Sequence, residues 1–151
     1  MALTPERQQA ILRSWDLVAL DLKGNGVKFF LKFFATYPTY QNFFEAFRGV
    51  NLEELKTSIK LRAHASIVMN SLNSIVRNID DVECLKEIMR RTATSHIPRG
   101  VRPLQFEGLF VVFLDFLAEA LGKNFDENTR QAWIVAADIL MSIIRETMPP
   151  Q

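Results

Sequence analysis

The chain has one cysteine, two histidines, and almost no excess charge of either sign. The lone Cys84 cannot form an internal disulfide, which fits a reducing compartment. It follows the polar run Asp80-Asp81-Val82-Glu83 and reads as an ordinary thiol rather than a nucleophile. Eighteen basic and seventeen acidic residues leave a net charge of +1 with the signs interspersed, so there is no polybasic footprint for nucleic acid. The longest apolar run, residues 109–114, is cut by Asp115 and then Glu119, far short of the about 20 residues a membrane span needs. Met-Ala-Leu-Thr-Pro at the N-terminus has neither region of a signal peptide and is not Met-Gly, which predicts a cytoplasmic chain. Zinc-type clusters need about four N or S ligands, more than two histidines and one cysteine supply. Gly-x-Gly-x-x-Gly, Walker and Gly-x-Ser-x-Gly motifs are all missing. No two carboxylates share an apolar helix face, which argues against hydrolytic acid–base chemistry, and no enzyme activity is expected.

What is present is helical. The 151 residues suit one domain, 1–151, and 48% hydrophobic with 23% charged residues is a globular balance. Thr4-Pro5-Glu6 opens a helix with a capping hydroxyl, a proline in the first turn and an acid. Ile11, Leu12, Trp15, Val18, Ala19 and Leu22 form its apolar stripe, and Gly24-Asn25-Gly26 is expected to stop it. A second helix should start at about Val27 and end before Pro38. Asn51-Leu-Glu-Glu54 resembles a capping box and predicts the start of a long helix. Its stripe is Leu61, His64, Val68, Leu72, Ile75, Val76 and Ile79, with Arg62, Ser66, Asn70, Asn73 and Arg77 on the wet face. Residues 104–121 are apolar nearly all round, which places that helix through the centre. Asp126 caps a final helix with Trp133, Ala136, Ala137, Leu140, Met141 and Ile144 inward, ended by Pro149-Pro150. No stretch reads as a strand. The fold class is all-α, with six long helical segments and a short aromatic-rich one after Pro38.

Residues 90–101, Arg-Arg-Thr-Ala-Thr-Ser-His-Ile-Pro-Arg-Gly-Val, organise the rest. Val82, Leu85, Met89, Thr92, Ala93 and His96 recur at the spacing of one helix face, and Pro98 ends that helix. His96 therefore sits in the last turn on the apolar side. A histidine there can be a simple C-terminal cap, or it can hold a ligand. The other histidine, His64, also lies on an apolar helix face, with Val68 one turn on. Seven of the twelve phenylalanines fall between residues 29 and 47: Phe29, Phe30, Phe33, Phe34, Phe43, Phe44 and Phe47. Such a cluster is either aromatic core or the wall of a pocket for a flat apolar ligand. Two inward imidazoles with a phenylalanine wall suit haem, whose porphyrin fills four of six iron positions and leaves the axial ones for histidine.

In order and spacing, Trp15, Tyr37-Pro38 with Phe44 and Phe47, His64 with Val68, and His96 with Arg99 and Val101 resemble a globin over almost the whole chain. Lys23-Gly-Asn-Gly-Val27, Ser95-His-Ile-Pro-Arg99 and Lys123-Asn-Phe125 are similar to intracellular invertebrate globins, molluscan ones in particular. The resemblance implies a globin fold of seven or eight helices around haem b (iron protoporphyrin IX). It makes His96 the proximal iron ligand and His64 the distal residue, donating to O2 or itself the sixth ligand. Phe44 would stack on the haem, Phe47 would pack beside it and Val68 would crowd the ligand site. Phe30 would line the far side of the distal pocket, and Val101, Phe106 and Leu109 the proximal side. Ser95 Oγ or the Thr92 carbonyl would accept from the second nitrogen of His96. Ile67 stands where many invertebrate globins have an arginine, which leaves Arg99 or Arg62 as the propionate contact. The link from His96 to Val101 is one residue shorter than in vertebrate myoglobins. The implied function is reversible O2 binding for storage or transport, with CO and NO as further gas ligands. The alternatives are a bis-histidyl tissue globin with a redox, NO-handling or sensing role, and a haem-free helical interaction module. Molluscan relatives often pair through the two haem-flanking helices, which makes a homodimer a candidate, with Ile67 or Ile97 at its contact.

Overall fold

A computed structural model describes residues 2–150. It holds seven α-helices and no strand among the described residues: α1 (Pro5–Val18), α2 (Leu22–Thr36), α3 (Leu52–Leu55), α4 (Ile59–Arg77), α5 (Val82–His96), α6 (Pro103–Leu121) and α7 (Glu127–Thr147). Short 3-10 turns fill most of the links, including Pro38–Phe43 and Glu45–Phe47 after α2 and Ile97–Arg99 after α5.

Helix ends follow local side-chain chemistry. Thr4, Asp21, Asn51, Ser58, Asp81 and Asp126 each accept a first-turn backbone N–H, at α1, α2, α3, α4, α5 and α7 in turn. Two of these caps correct the sequence-based boundaries. The break after α1 falls at Ala19–Asp21, and Gly24-Asn25-Gly26 lies inside α2. Asp21 is the reason: its carboxylate accepts from the Gly24 N–H at 3.0 Å and restarts the helix before the glycines can stop it. Likewise Asn51 caps only the single turn α3, and the long helix starts at Ser58, whose Oγ accepts from Leu61 N–H at 3.2 Å.

Gly26 has a packing role. A Cβ there would meet Met69 Cγ at 2.6 Å, Ala65 Cβ at 3.0 Å and the Ala65 carbonyl oxygen at 3.1 Å, so α2 and α4 cross backbone to backbone. Gly26→Val forces that crossing apart and is expected to cost about 1–3 kcal/mol, the usual range for overpacking. A lowered urea midpoint checks it; an unchanged midpoint would mean that α4 yields freely.

The core divides into two clusters. One gathers Trp15, Phe29, Phe30, Phe34, Phe113 and Phe116 with their neighbours, and the other Leu85, Met89, Ala93, Leu140 and Ile144. Both tryptophans satisfy their indole N–H across helices: Trp15 donates to Asn73 Oδ1 at 2.9 Å and Trp133 to Ser14 Oγ at 2.8 Å. Asn73 is thus half-buried beneath α1 and not on the wet face of α4. Helix α6 is also less central than its composition implies, since Leu104 and Val111 are 47% and 54% exposed. Val82 is exposed at the start of α5, outside the buried stripe of Leu85, Met89 and Ala93.

Candidate functional site

Where the two clusters meet, a cleft of about 670 Å³ opens, within the size range of small-molecule and cofactor sites. Phe47 of the first cluster and Val101 of the second both line it, and so do His64 of α4 and His96 of α5. The two histidines, 32 positions apart in sequence, face one space.

His96 is fixed by its own helix. Its Nδ1–H donates to the Thr92 carbonyl at 2.6 Å, one turn back. Ser95 Oγ, 3.3 Å from Nδ1, donates its own proton to the same carbonyl at 2.8 Å. Thr92 is therefore the acceptor, and Ser95, exposed and off the cleft, steadies it. With Nδ1 protonated, the lone pair of a neutral ring lies on Nε2. Burial pulls the His96 pKa below its usual value, opposed by the Thr92 bond and helped by the charge of Arg99. The ring stands edge-on to Phe106 at 5.2 Å.

His64 is held by rings. Phe30, Phe44 and Phe47 approach it edge-on, with centroids at 4.7, 5.0 and 6.0 Å. Its Nε2 is buried with no hydrogen-bond partner among the described residues. Burial first, then the positive charges of Arg99 and His96, push its pKa from 6.5 down to about 4. Both imidazoles are thus neutral at physiological pH.

The other sequence-predicted residues divide. Phe44, Arg99 and Val101 join Phe47 and the histidines on the cleft wall. Phe106 and Leu109 line an adjoining void of about 50 Å³ on the His96 side, which Phe44, His96 and Val101 also border. Phe30 is fully buried behind His64, and Val68 is half-buried against the larger cluster. Arg62 is exposed and off the wall, so Arg99 is the arginine at the cleft. Ile67 is 69% exposed, whereas Ile97 is half-buried against the second cluster. Sequence reading had no role for Arg48 or Lys60, which also line the cleft, as do Pro98, read only as a helix stop, and Phe43, read only as one of the clustered phenylalanines. Lys60 was within reach of it, four residues before His64 on one helix face; Phe43 and Arg48 sit in turns with no period to read. A separate void of about 30 Å³ between Trp15, Leu72, Phe113 and Trp133 touches neither histidine.

The globin family model matches residues 27–144, most of the chain. The chain belongs to the globin family. A globin of Nerita albicilla is 35% identical over 143 residues, covering 95% of this chain and 91% of the relative. Two solved globins superpose closely. Ferric Aplysia limacina myoglobin gives a TM-score of 0.88 at 25% identity, covering 97% of this chain and 99% of that one. The hexa-coordinate haemoglobin of Drosophila melanogaster gives 0.90 at 28% identity, covering 97% and 95%.

Haem is the cofactor of globins, and the residues of this globin fit it. The cleft offers a buried imidazole nitrogen without a partner on one side. On the other is an imidazole whose second nitrogen is already tied to a carbonyl. Aromatic and aliphatic walls flank both.

The two depressed pKa values have a consequence for the haem-free globin. Between about 6.5 and about 4, the unfolded chain binds a proton at residue 64 that the folded chain refuses. Stability therefore rises with pH across that window and is lost as pH falls. Urea midpoints are expected to drop on acidification through it, and His64→Leu to flatten the drop. An equally steep drop in the variant would remove His64 as its source.

Proposed function

We propose that this globin, as one domain, binds O2 reversibly at ferrous haem b for storage or transport, with CO and NO as competing ligands. When bound, haem would supply an iron able to take a histidine nitrogen and a diatomic gas. The observation that carries the reading is the pair of neutral imidazoles on one cleft, one tied through Nδ1 and the other with Nε2 unpartnered. His96 is the proximal ligand: its Nδ1–H···O=C bond fixes the tautomer and ring direction and raises the basicity of Nε2. His64 is the distal group, its N–H placed to donate to a polar gas ligand in a pocket that Phe30, Phe44 and Phe47 keep dry. Phe44, Val101, Phe106 and Leu109 give the porphyrin apolar contact, and Arg99 and Lys60 offer cations to its carboxylates. Tonometry tests the reading: the reduced globin should move between two visible spectra reversibly as O2 is admitted and withdrawn. Prompt, irreversible oxidation on the first exposure would reject it.

A second reading has its own support. An unpartnered His64 Nε2, with His64 and His96 lining one cleft, would let His64 itself bind the iron when haem is present. The similarity to a hexa-coordinate haemoglobin points the same way. O2 would then compete with His64, and the apparent affinity would fall by the fraction of open sites.

A further inference from the structure

The link between α2 and α3, residues 37–51, carries Phe43, Phe44 and Phe47 to the cleft without an α-helix of its own. Backbone bonds hold its second half turn by turn: the N–H groups of Phe44, Phe47 and Val50 donate to the carbonyls of Gln41, Phe44 and Phe47 at 3.1, 2.9 and 3.2 Å. Side chains reach further. Arg48 Nε donates to the Asn42 carbonyl at 2.9 Å, at the exposed surface. Gln41, half-buried, donates its amide to the Phe47 carbonyl at 2.6 Å and to the Val50 carbonyl at 2.7 Å. An amide NH2 carries two hydrogens, so the group is fully used. The backbone carbonyl of Gln41 opens the first of these three turns, and its side chain closes on the last. One residue thus ties both ends of the segment that holds Phe44 and Phe47 edge-on to His64, at 5.0 and 6.0 Å.

We propose that Gln41 is a positioning residue for the distal side of the haem cleft, its amide keeping Phe44 and Phe47 shut on His64 and water out of the space between them. The effect on gas binding rests on the haem reading; the tie itself does not. The buried Nε2 of His64 has no partner among the described residues, so any water that reached it would gain a hydrogen bond. Such a nitrogen stays free for a gas ligand only while the rings around it stay closed. Phe30 is fixed in α2, whereas Phe44 and Phe47 ride on the link. The rings are therefore as closed as the link is, and irregular segments open more easily than packed helices. Sheltered from solvent, the Gln41 bonds resist opening better than the exposed Arg48 bond, because water competes less for their atoms.

Two variants test it. Gln41→Glu keeps the size of the side chain and replaces both N–H groups with a carboxylate that repels the two carbonyl oxygens. Gln41→Lys brings back donors within reach of the same oxygens. Amide hydrogen exchange on the purified protein should show Phe44, Phe47 and Val50 exchanging about tenfold faster in the Glu variant, the scale of losing bonds of this kind. Met89 in α5 and Leu140 in α7 should exchange as before, and the Lys variant should return the three amides close to wild type. In the haem-loaded globin the Glu variant should autoxidise several-fold faster in air, and the Lys variant at nearly the wild-type rate. Unaltered exchange at the three amides would overturn the tie. Fast exchange there with unaltered autoxidation would overturn the positioning role. Acceleration spread equally through α5 and α7 would reduce Gln41 to general stability and overturn it too. If no haem is taken up, the missing Soret band reports the failure of the haem reading, and exchange still decides the tie.

Discussion

Alanine at position 96 is expected to strip the purified protein of nearly all its haem. The His96 ring is fixed at Nδ1 by the Thr92 carbonyl, so the variant loses an oriented donor rather than a mobile one. Among the residues lining the cleft and the adjoining void, the other imidazole, His64, lies on the opposite side, and Pro98, Val101 and Phe106 carry no donor atom. Losing one coordinate bond should cost several powers of ten in haem affinity, each tenfold being about 1.4 kcal/mol. The fold should survive, because His96 is half-buried in the last turn of α5 and alanine is the better helix former. Far-ultraviolet circular dichroism separates the two effects. Imidazole added at millimolar concentration should restore the Soret band by filling the vacated space. Full haem retention in His96→Ala without imidazole would reject residue 96 as the ligand.

His64→Leu carries the second large effect. Leucine keeps the apolar contacts with Phe30, Phe44 and Phe47 and removes only the N–H. A hydrogen bond in a dry pocket is worth about 1 kcal/mol or somewhat more, so O2 should dissociate on the order of tenfold faster, with faster autoxidation. CO carries less negative charge when bound, and its dissociation should change much less. A pKa near 4 keeps His64 neutral through the physiological range, so the wild-type O2 off-rate should be flat from about pH 8 to about pH 5.5. Flash photolysis and stopped-flow measure these rates. An O2 off-rate unaltered by the substitution would remove His64 from ligand stabilisation.

Much of this was legible in the sequence, for identifiable reasons. Helix α5 and the inward placement of His96 followed from a clean 3.6-residue stripe closed by Pro98, and the structure ends α5 at His96. The aromatic cluster was visible as composition, but not its division: Phe29, Phe30 and Phe34 are core, whereas Phe43 and Phe44 line the cleft and Phe47 belongs to both. Periodicity cannot make that distinction, because Phe43, Phe44 and Phe47 sit in and between short 3-10 turns that have no helical period to read. The α1–α2 boundary was misplaced because glycines look like breakers when their packing partner is unseen; Gly26 is small to let α4 approach, a contact across 39 or more residues. The α3–α4 division was missed because Ser58 is an inconspicuous cap once Asn51 has been read as one. Asn73 looked solvent-facing because its partner, the Trp15 indole, lies 58 residues away. All-round apolar composition hid the outer face of α6, where Leu104 and Val111 reach solvent.

The most direct measurement is the visible spectrum of the haem-loaded protein reduced with dithionite in the absence of gas. An iron held by His96 alone, with the position facing His64 open for O2, gives one broad visible band, and that is the expected result. Sharp, split bands would show His64 bound as sixth ligand and contradict the open-site account, and a protein that stayed colourless with haem supplied would contradict it at its root.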